Sequence, residues 1–430
     1  MATYSEYLKL KKPYQADGHV LLLERKHACL FYKPGKGKTY PTIDALRDID
    51  AAMQGNAKVL ILSTANAVTK MWELEIEPQK ILPKHTVIMS FTKAIQDSRK
   101  AELLKIKWDV IVVDECHHIK SHNSKISKLV YQLTKKSKYA FGLSGTPRGN
   151  SDVDIYCQFH NLNVSDWGSI SYTNFVDICC EIDRKFFNGA MIKVPVGIND
   201  KYRAGFQRNV AMYSQRVDYD DEDKMPDLNI DLVYIAFTPT KQYLEAEQGV
   251  IRMSDYETTL TKLAVISKLH QLANGFCYIT NENDERTTVQ IQHNNKLDWI
   301  EQNLTEEYTT IVYRHEEDFN QLMNILNKNG VTWTDDVVKF KGGKYNVLLL
   351  QCSQSESFNL QLCQRMIFYT MDYSFINFDQ MLHRVYRTGQ QQDVKITVLI
   401  NDGSIDNKIW KIVHNKQTMS DLFYAIKGVV

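Results

Sequence analysis

His27-Ala28-Cys29-Leu30-Phe31-Tyr32-Lys33-Pro34-Gly35-Lys36-Gly37-Lys38-Thr39 begins as a buried strand and ends on a glycine-lysine-threonine turn. Residues 40–47 then carry helical spacing. Strand, tight turn and helix in that order are the setting of a phosphate loop. Glycines let backbone N–H groups close around an anion, and the helix N-terminus adds its dipole. The anion-binding set is Gly35, Lys36, Gly37, Lys38, Thr39 and Tyr40. Lys38 is placed to reach the terminal phosphates, and the Thr39 hydroxyl to hold a divalent cation. The strict pattern would have glycine where Tyr32 stands.

Outward from this loop, similar apolar runs recur at 59–63, 86–91, 110–113 and 139–143, and in the second half at 232–237, 310–313, 347–350, 366–369 and 394–400. They are continuous rather than alternating, which predicts strands buried on both faces of parallel sheets covered by helices. The economical arrangement is two α/β units in tandem. The acidic run Asp218-Tyr219-Asp220-Asp221-Glu222-Asp223, followed by Lys224-Met225-Pro226, reads as an exposed connection. It sets domain bounds of 1–225 and 226–430. Residues 167–216 are rich in aromatics and charges without strand-helix alternation, so a helical insertion is expected there.

Composition narrows the class. The chain has 430 residues, 43% hydrophobic and 24% charged, as in ordinary globular proteins. No apolar run approaches the roughly 20 residues of a membrane span. The start, Met1-Ala2-Thr3-Tyr4-Ser5-Glu6, has no apolar stretch of the secretory kind. The eight cysteines contain no C-x-x-C pair, so neither a zinc site nor a disulfide framework is expected, and a cytoplasmic location fits. The net charge of +1 does not advertise nucleic-acid binding, although a basic face can be offset by an acidic one elsewhere.

Three further stretches carry chemistry. Trp108-Asp109-Val110-Ile111-Val112-Val113-Asp114-Glu115-Cys116-His117-His118 is a hydrophobic strand ending in adjacent carboxylates, which need a cation or water to take their charge. Neighbouring histidines such as His117 and His118 seldom ligate one ion. Leu143-Ser144-Gly145-Thr146-Pro147 closes another strand with small hydroxyl residues suited to hydrogen-bonded coupling. In Gln380-Met381-Leu382-His383-Arg384-Val385-Tyr386-Arg387-Thr388-Gly389-Gln390 the two arginines are three apart, so on a helix they would share a face.

In this order these pieces resemble a superfamily-two helicase motor of the Swi/Snf-like branch, across about residues 12–400. Pro13-Tyr14-Gln15 with Gly18 is similar to that branch's entry motif, in which the glutamine reads adenine. Residues 63–75, with Trp72 and Glu75, resemble motif Ia. Asp114-Glu115-Cys116-His117 matches the DExH box, a relative of the DEAH box, and Ser144-Gly145-Thr146-Pro147 matches motif III. Residues 380–390 match the R-x-x-R-x-G-Q form particular to the branch. Lys268-Leu269-His270-Gln271-Leu272 and Asn295-Lys296-Leu297 look like two further stretches of it. Motif V departs, with Glu356-Ser357-Phe358-Asn359-Leu360 in place of E-G-x-N-L. Compact motors of this kind are similar to those of bacteriophages and mobile elements.

The resemblance implies two tandem RecA-like domains with an interdomain ATP cleft, and ATP and Mg²⁺ as cofactors. Lys38, Glu115, Gln380, Arg384 and Arg387 become catalytic candidates, with Glu115 polarising the attacking water and the arginines stabilising the transferring phosphoryl group. Gln15 joins the nucleotide contacts, and Thr39 and Asp114 hold Mg²⁺, the latter through water. Ser63, Thr64, Ser90, Thr92, Ser353 and Asn359 are candidates for nucleic-acid backbone contact, and Ser144 and Thr146 for coupling. The implied activity is an ATP-dependent motor translocating on or remodelling duplex DNA in replication or recombination. Strand separation or branch migration is the alternative, and a non-cycling nucleotide-binding scaffold the third. Duplex or branched DNA is the expected partner, to a monomer helped by a recruiting protein. Motif arithmetic alone does not separate DNA from RNA.

Overall fold

A computed structural model of the chain describes residues 3–148, 151–187, 190–220, 225–253, 256–260, 262–280, 286–354, 359–387 and 389–415. The chain divides into two units, Met1–Asp223 and Lys224–Val430.

The first unit is built on strands β1 (His27–Tyr32), β2 (Lys58–Ser63), β3 (His85–Ser90), β4 (Val110–Asp114) and β5 (Tyr139–Ser144). A hairpin of β6 (Cys180–Phe187) and β7 (Ala190–Ile198) follows, then β8 (Ser214–Val217). The sheet runs β3-β2-β4-β5-β1-β8, and every pairing in it is parallel. Its centre shows why the apolar runs are continuous. All five residues of β4 are buried. Ile111 and Val113 join a core with Leu60, Leu129 and Leu133 on one face, while Val110 and Val112 join Leu30, Ile43 and Ile61 on the other. Successive side chains of a strand point to opposite faces, so helices on both sides demand apolar residues at every position.

The insertion corrects the helical expectation. Helices Tyr172–Cys179 and Asp200–Tyr213 flank an antiparallel hairpin, β6 with β7. β7 reads Ala-Met-Ile-Lys-Val-Pro-Val-Gly-Ile, where β-branched residues and an interior proline oppose a helix. The Phe186 and Phe187 side chains lie outside the described residues.

The second unit repeats the plan with β9 (Leu228–Ile235), small hairpins β10 (Val250–Met253) with β11 (Tyr256–Thr259) and β12 (Phe276–Thr280) with β13 (Arg286–Gln290), then β14 (Thr309–Tyr313), β15 (Trp333–Thr334), β16 (Val347–Gln351), β17 (Arg365–Phe368) and β18 (Val394–Asn401). The main sheet runs β15-β16-β14-β17-β18-β9, again all parallel. Its two faces are covered by separate apolar clusters, one around Leu348, Leu350 and Ile396, the other around Ile311, Leu349 and Leu399. The fold class is thus α/β with two parallel-sheet units. Among the described residues no helix is long and apolar enough to cross a membrane.

Candidate nucleotide site

Parallel strands place their carboxyl ends together, and the chemistry of the first unit gathers there. The phosphate loop follows β1, Asp114 ends β4, Ser144 ends β5 and Ser63 ends β2. Register fixes the neighbours: Leu62 lies beside Val113, Asp114 beside Leu143, and Ser144 beside Phe31.

The loop turns on Gly35 (φ 91°) and Gly37 (φ 73°), a region that side chains disfavour. A Cβ on Gly37 would lie 2.6 Å from the Gln15 amide nitrogen. Gln15 Nε2 and Tyr14 Oη both donate to the Lys36 carbonyl at 3.2 Å, so the entry motif braces the loop directly. Thr39 begins the helix Thr39–Ala52. The Tyr40 ring stacks on Tyr7, centroids 4.7 Å apart, leaving its backbone as the part that can face an anion. Tyr32, the departure from the strict pattern, is a tie: its hydroxyl donates to the Tyr14 carbonyl at 3.0 Å and meets Gln215. Gly18 has no room for a Cβ because that hydroxyl occupies the space.

Facing the loop stands the acidic box. Lys38 Nζ lies 3.4 Å from Glu115 Oε1. Glu115 has φ 54° and ψ 52°, a left-handed conformation costing a non-glycine residue about 1–2 kcal/mol. The buried Asp114 is held by three donors: Ser63 Oγ and Trp72 Nε1 on Oδ2, and the Glu115 N–H on Oδ1, each at 3.1 Å. Burial and the neighbouring Glu115 charge push the Asp114 carboxyl up to about 6. Two carboxylates crowded beside one lysine form an oxygen-rich, electron-rich site that fits a hard divalent cation. No group of three or more His, Cys, Asp or Glu side chains suited to a metal occurs among the described residues, so such a cation would keep most of its waters.

Glu115 Oε2 is 3.5 Å from His117 Nδ1, which hydrogen-bonds Ser144 Oγ at 3.1 Å, and Ser144 Oγ accepts the Thr146 N–H at 3.1 Å. This chain links the acidic box to the Ser-Gly-Thr-Pro turn that holds Ser144 and Thr146. The role of His117 as its middle member escaped the sequence reading. The Thr146 hydroxyl is buried without a partner among the described residues.

The expected nucleic-acid contacts divide. Ser63 is fully buried and its hydroxyl serves Asp114, so it is corrected to a member of the acidic site. Thr64 is buried and caps the short helix Ala65–Ala67. Ser90 caps Phe91–Ala94 and bonds Thr92 at 3.2 Å, with Thr92 exposed. Ser353 is exposed, and Asn359 binds Gln361. Glu356, Ser357 and Phe358 lie outside the described residues.

In the second unit Gln380 and Arg384 are buried on the helix Phe375–Val385. The helix stops before Arg387, because Tyr386 is extended (φ −89°, ψ 94°). The two arginines therefore do not share a helical face, which corrects the expectation from their spacing. Gln390 explains the stop: its amide donates to the carbonyls of Gln361, Cys363 and Val385 at 3.1–3.3 Å and accepts from the N–H groups of Gln391 and Gln392. Lys296 is buried against Asp406 at 2.6 Å, a structural ion pair.

The SNF2-related domain family matches residues 77–179, the span holding the acidic box and the Ser-Gly-Thr-Pro turn. The Bacillus subtilis protein named uncharacterized ATP-dependent helicase YqhH is 22% identical over 94% of this chain and 78% of its own. YwqA of the same organism, provisionally named an ATP-dependent helicase/translocase, is 23% identical over 95% of this chain, which spans 48% of that relative. Among solved structures, the Sulfolobus solfataricus SWI2/SNF2 ATPase core in complex with dsDNA aligns over 97% of this chain and 92% of its own, at 21% identity and a TM-score of 0.41. The SNF2-related match over residues 77–179, the two relatives named as ATP-dependent helicases and the ordered motifs at the strand ends bear out the resemblance to the Swi/Snf-like branch of superfamily-two helicases.

Proposed function

We propose that the chain is an ATP-driven motor that translocates on or remodels duplex DNA. The observation that carries this reading is the buried Asp114 followed by the half-buried Glu115 set against Lys38, with Glu115 tied through His117 to Ser144. Lys38 and the loop amides bind the triphosphate. Thr39, and Asp114 through water, would hold Mg²⁺, which when bound would supply charge neutralisation at the phosphates. Glu115 orients and deprotonates the attacking water, and Arg384 and Arg387, with Gln380 beside them in sequence, stabilise charge on the transferring group during turnover. The hydrogen-bonded chain from Glu115 to Thr146 conveys the state of this carboxylate to the end of β5. A motor indifferent to sequence grips phosphates, for which Thr92 and Ser353 offer exposed hydroxyls.

Relatives named as ATP-dependent helicases, together with the SNF2-related match, support an ATP-driven motor, and duplex DNA is the track proposed for it. A role in replication or recombination, a phage or mobile-element setting and a cytoplasmic location complete the proposal. Strand separation is the second reading, favoured by the hairpin β6–β7 as a candidate wedge. The test is ATP turnover with duplex DNA, single-stranded DNA, forks and RNA at matched ionic strength, since phosphate contacts are salt-dependent. The proposal expects the strongest stimulation by duplex DNA. Stimulation mainly by forks or single strands, with strands released, selects the second reading, and tight ATP binding without hydrolysis refutes both.

A further inference from the structure

Asp114 uses its two oxygens unequally. Oδ2 accepts two hydrogen bonds, from the Ser63 hydroxyl and the Trp72 indole, whereas Oδ1 accepts one, from its own neighbour's N–H. A carboxylate oxygen has two lone pairs, so Oδ2 is filled and the remaining capacity lies on Oδ1. Trp72 and Ser63 are both fully buried. An indole N–H can only donate, and its partner here must keep an unprotonated oxygen towards it.

The segment bearing Trp72 is unusual. Val68–Ile76 is π-helical over nine residues, where such turns are rare and tend to occur at functional sites. From within this turn the Trp72 indole reaches the end of β4, where it meets Asp114.

We infer that Trp72 and Ser63 are positioning residues that lock the Asp114 carboxylate with Oδ1 presented to the water shell of the nucleotide-bound Mg²⁺. The inference rests on the reading of this site as one for Mg²⁺ and ATP, and deepens it. A merely structural pair of donors would affect folding stability and leave the metal dependence of nucleotide binding alone. Partners that orient a metal ligand instead change metal affinity by about 10–100-fold when removed.

The test is equilibrium binding of a fluorescent ATP analogue to the full chain, in EDTA and across a Mg²⁺ titration, with thermal midpoints measured in parallel. Trp72→Phe keeps the ring and removes the N–H, and Ser63→Ala is a smaller second perturbation. Ser63→Thr restores a hydroxyl. The inference expects binding in EDTA within about twofold of the parent, a Mg²⁺ half-saturation raised about 10-fold in Trp72→Phe and Ser63→Ala, and recovery in Ser63→Thr. An unchanged half-saturation in either folded variant overturns it, whatever the melting temperature does. If the parent itself binds nucleotide with no response to Mg²⁺, the metal reading of the site fails as well, so the two failures are distinguishable.

Discussion

Lys38 Nζ stands 3.4 Å from Glu115 Oε1, so the lysine that would meet the terminal phosphates is paired with the carboxylate that would activate water. The two charges offset one another, and in the proposed cycle a triphosphate would take the lysine. Glu115→Gln keeps the shape and removes the base. It is expected to bind ATP at least as tightly as the parent and to lower turnover about 10²–10⁴-fold, read by nucleotide binding and steady-state phosphate release. A Gln variant cycling at the parent rate removes Glu115 from the role of base.

Arg387 lies beyond the end of helix Phe375–Val385 while Arg384 is buried within it, so the two are expected to respond differently. Arg387→Ala should leave ATP affinity nearly unchanged and reduce single-turnover hydrolysis by about 10³–10⁵-fold, the range for arginine fingers. Normal turnover in Arg387→Ala and loss in Arg384→Ala would assign the function to Arg384 alone.

Gln390, the residue most particular to the branch in sequence, satisfies three carbonyls and two N–H groups. Its substitution by alanine strands buried polar groups, and a loss of about 2–3 kcal/mol is expected in urea unfolding of the protein. A neutral Gln390→Ala would show that these groups find other partners.

His270 is buried on the second unit beside Tyr373, its Nδ1 3.1 Å from the tyrosine hydroxyl. Burial, then the neighbouring His315, Arg314 and Lys296, hold its imidazole well below 6.5. The unfolded chain therefore binds a proton that the folded chain refuses. Stability falls as pH drops below about 6.5, with a slope approaching about 1.4 kcal/mol per pH unit for this residue. His27 and His315 are depressed by burial as well and add to the slope. Thermal midpoints from pH 7.5 to 5 should fall, and His270→Asn should flatten the curve by one proton's share. An unaltered slope would mean that His270 is charged in the fold.

Much of the fold was legible because two-face burial writes itself as uninterrupted apolar runs. β1, β2, β4, β5, β14, β16, β17 and β18 all fall on such runs. β8 did not, since Ser-Gln-Arg-Val is an edge strand with one neighbour and little apolar character. The hairpin β6–β7 was hidden by its charges, although Pro195 argued against a helix there. In the site, loop and acidic box were readable from local order. The tie from Trp72 to Asp114 spans 42 residues and leaves no local signal, and Ser63 was misassigned because a hydroxyl at a strand end looks the same whether it faces DNA or a carboxylate. The arginine spacing misled because helix continuation was assumed, whereas Gly389 (φ 94°) and Gln390 already mark an ending.

The most direct test of the motor itself is displacement of a third strand annealed to duplex DNA, followed with ATP, with a non-hydrolysable analogue and with Glu115→Gln. Translocation on duplex DNA predicts release of the third strand by the parent with ATP alone, while the underlying duplex stays intact. ATP hydrolysis without release, or release that proceeds equally with the analogue, would contradict it.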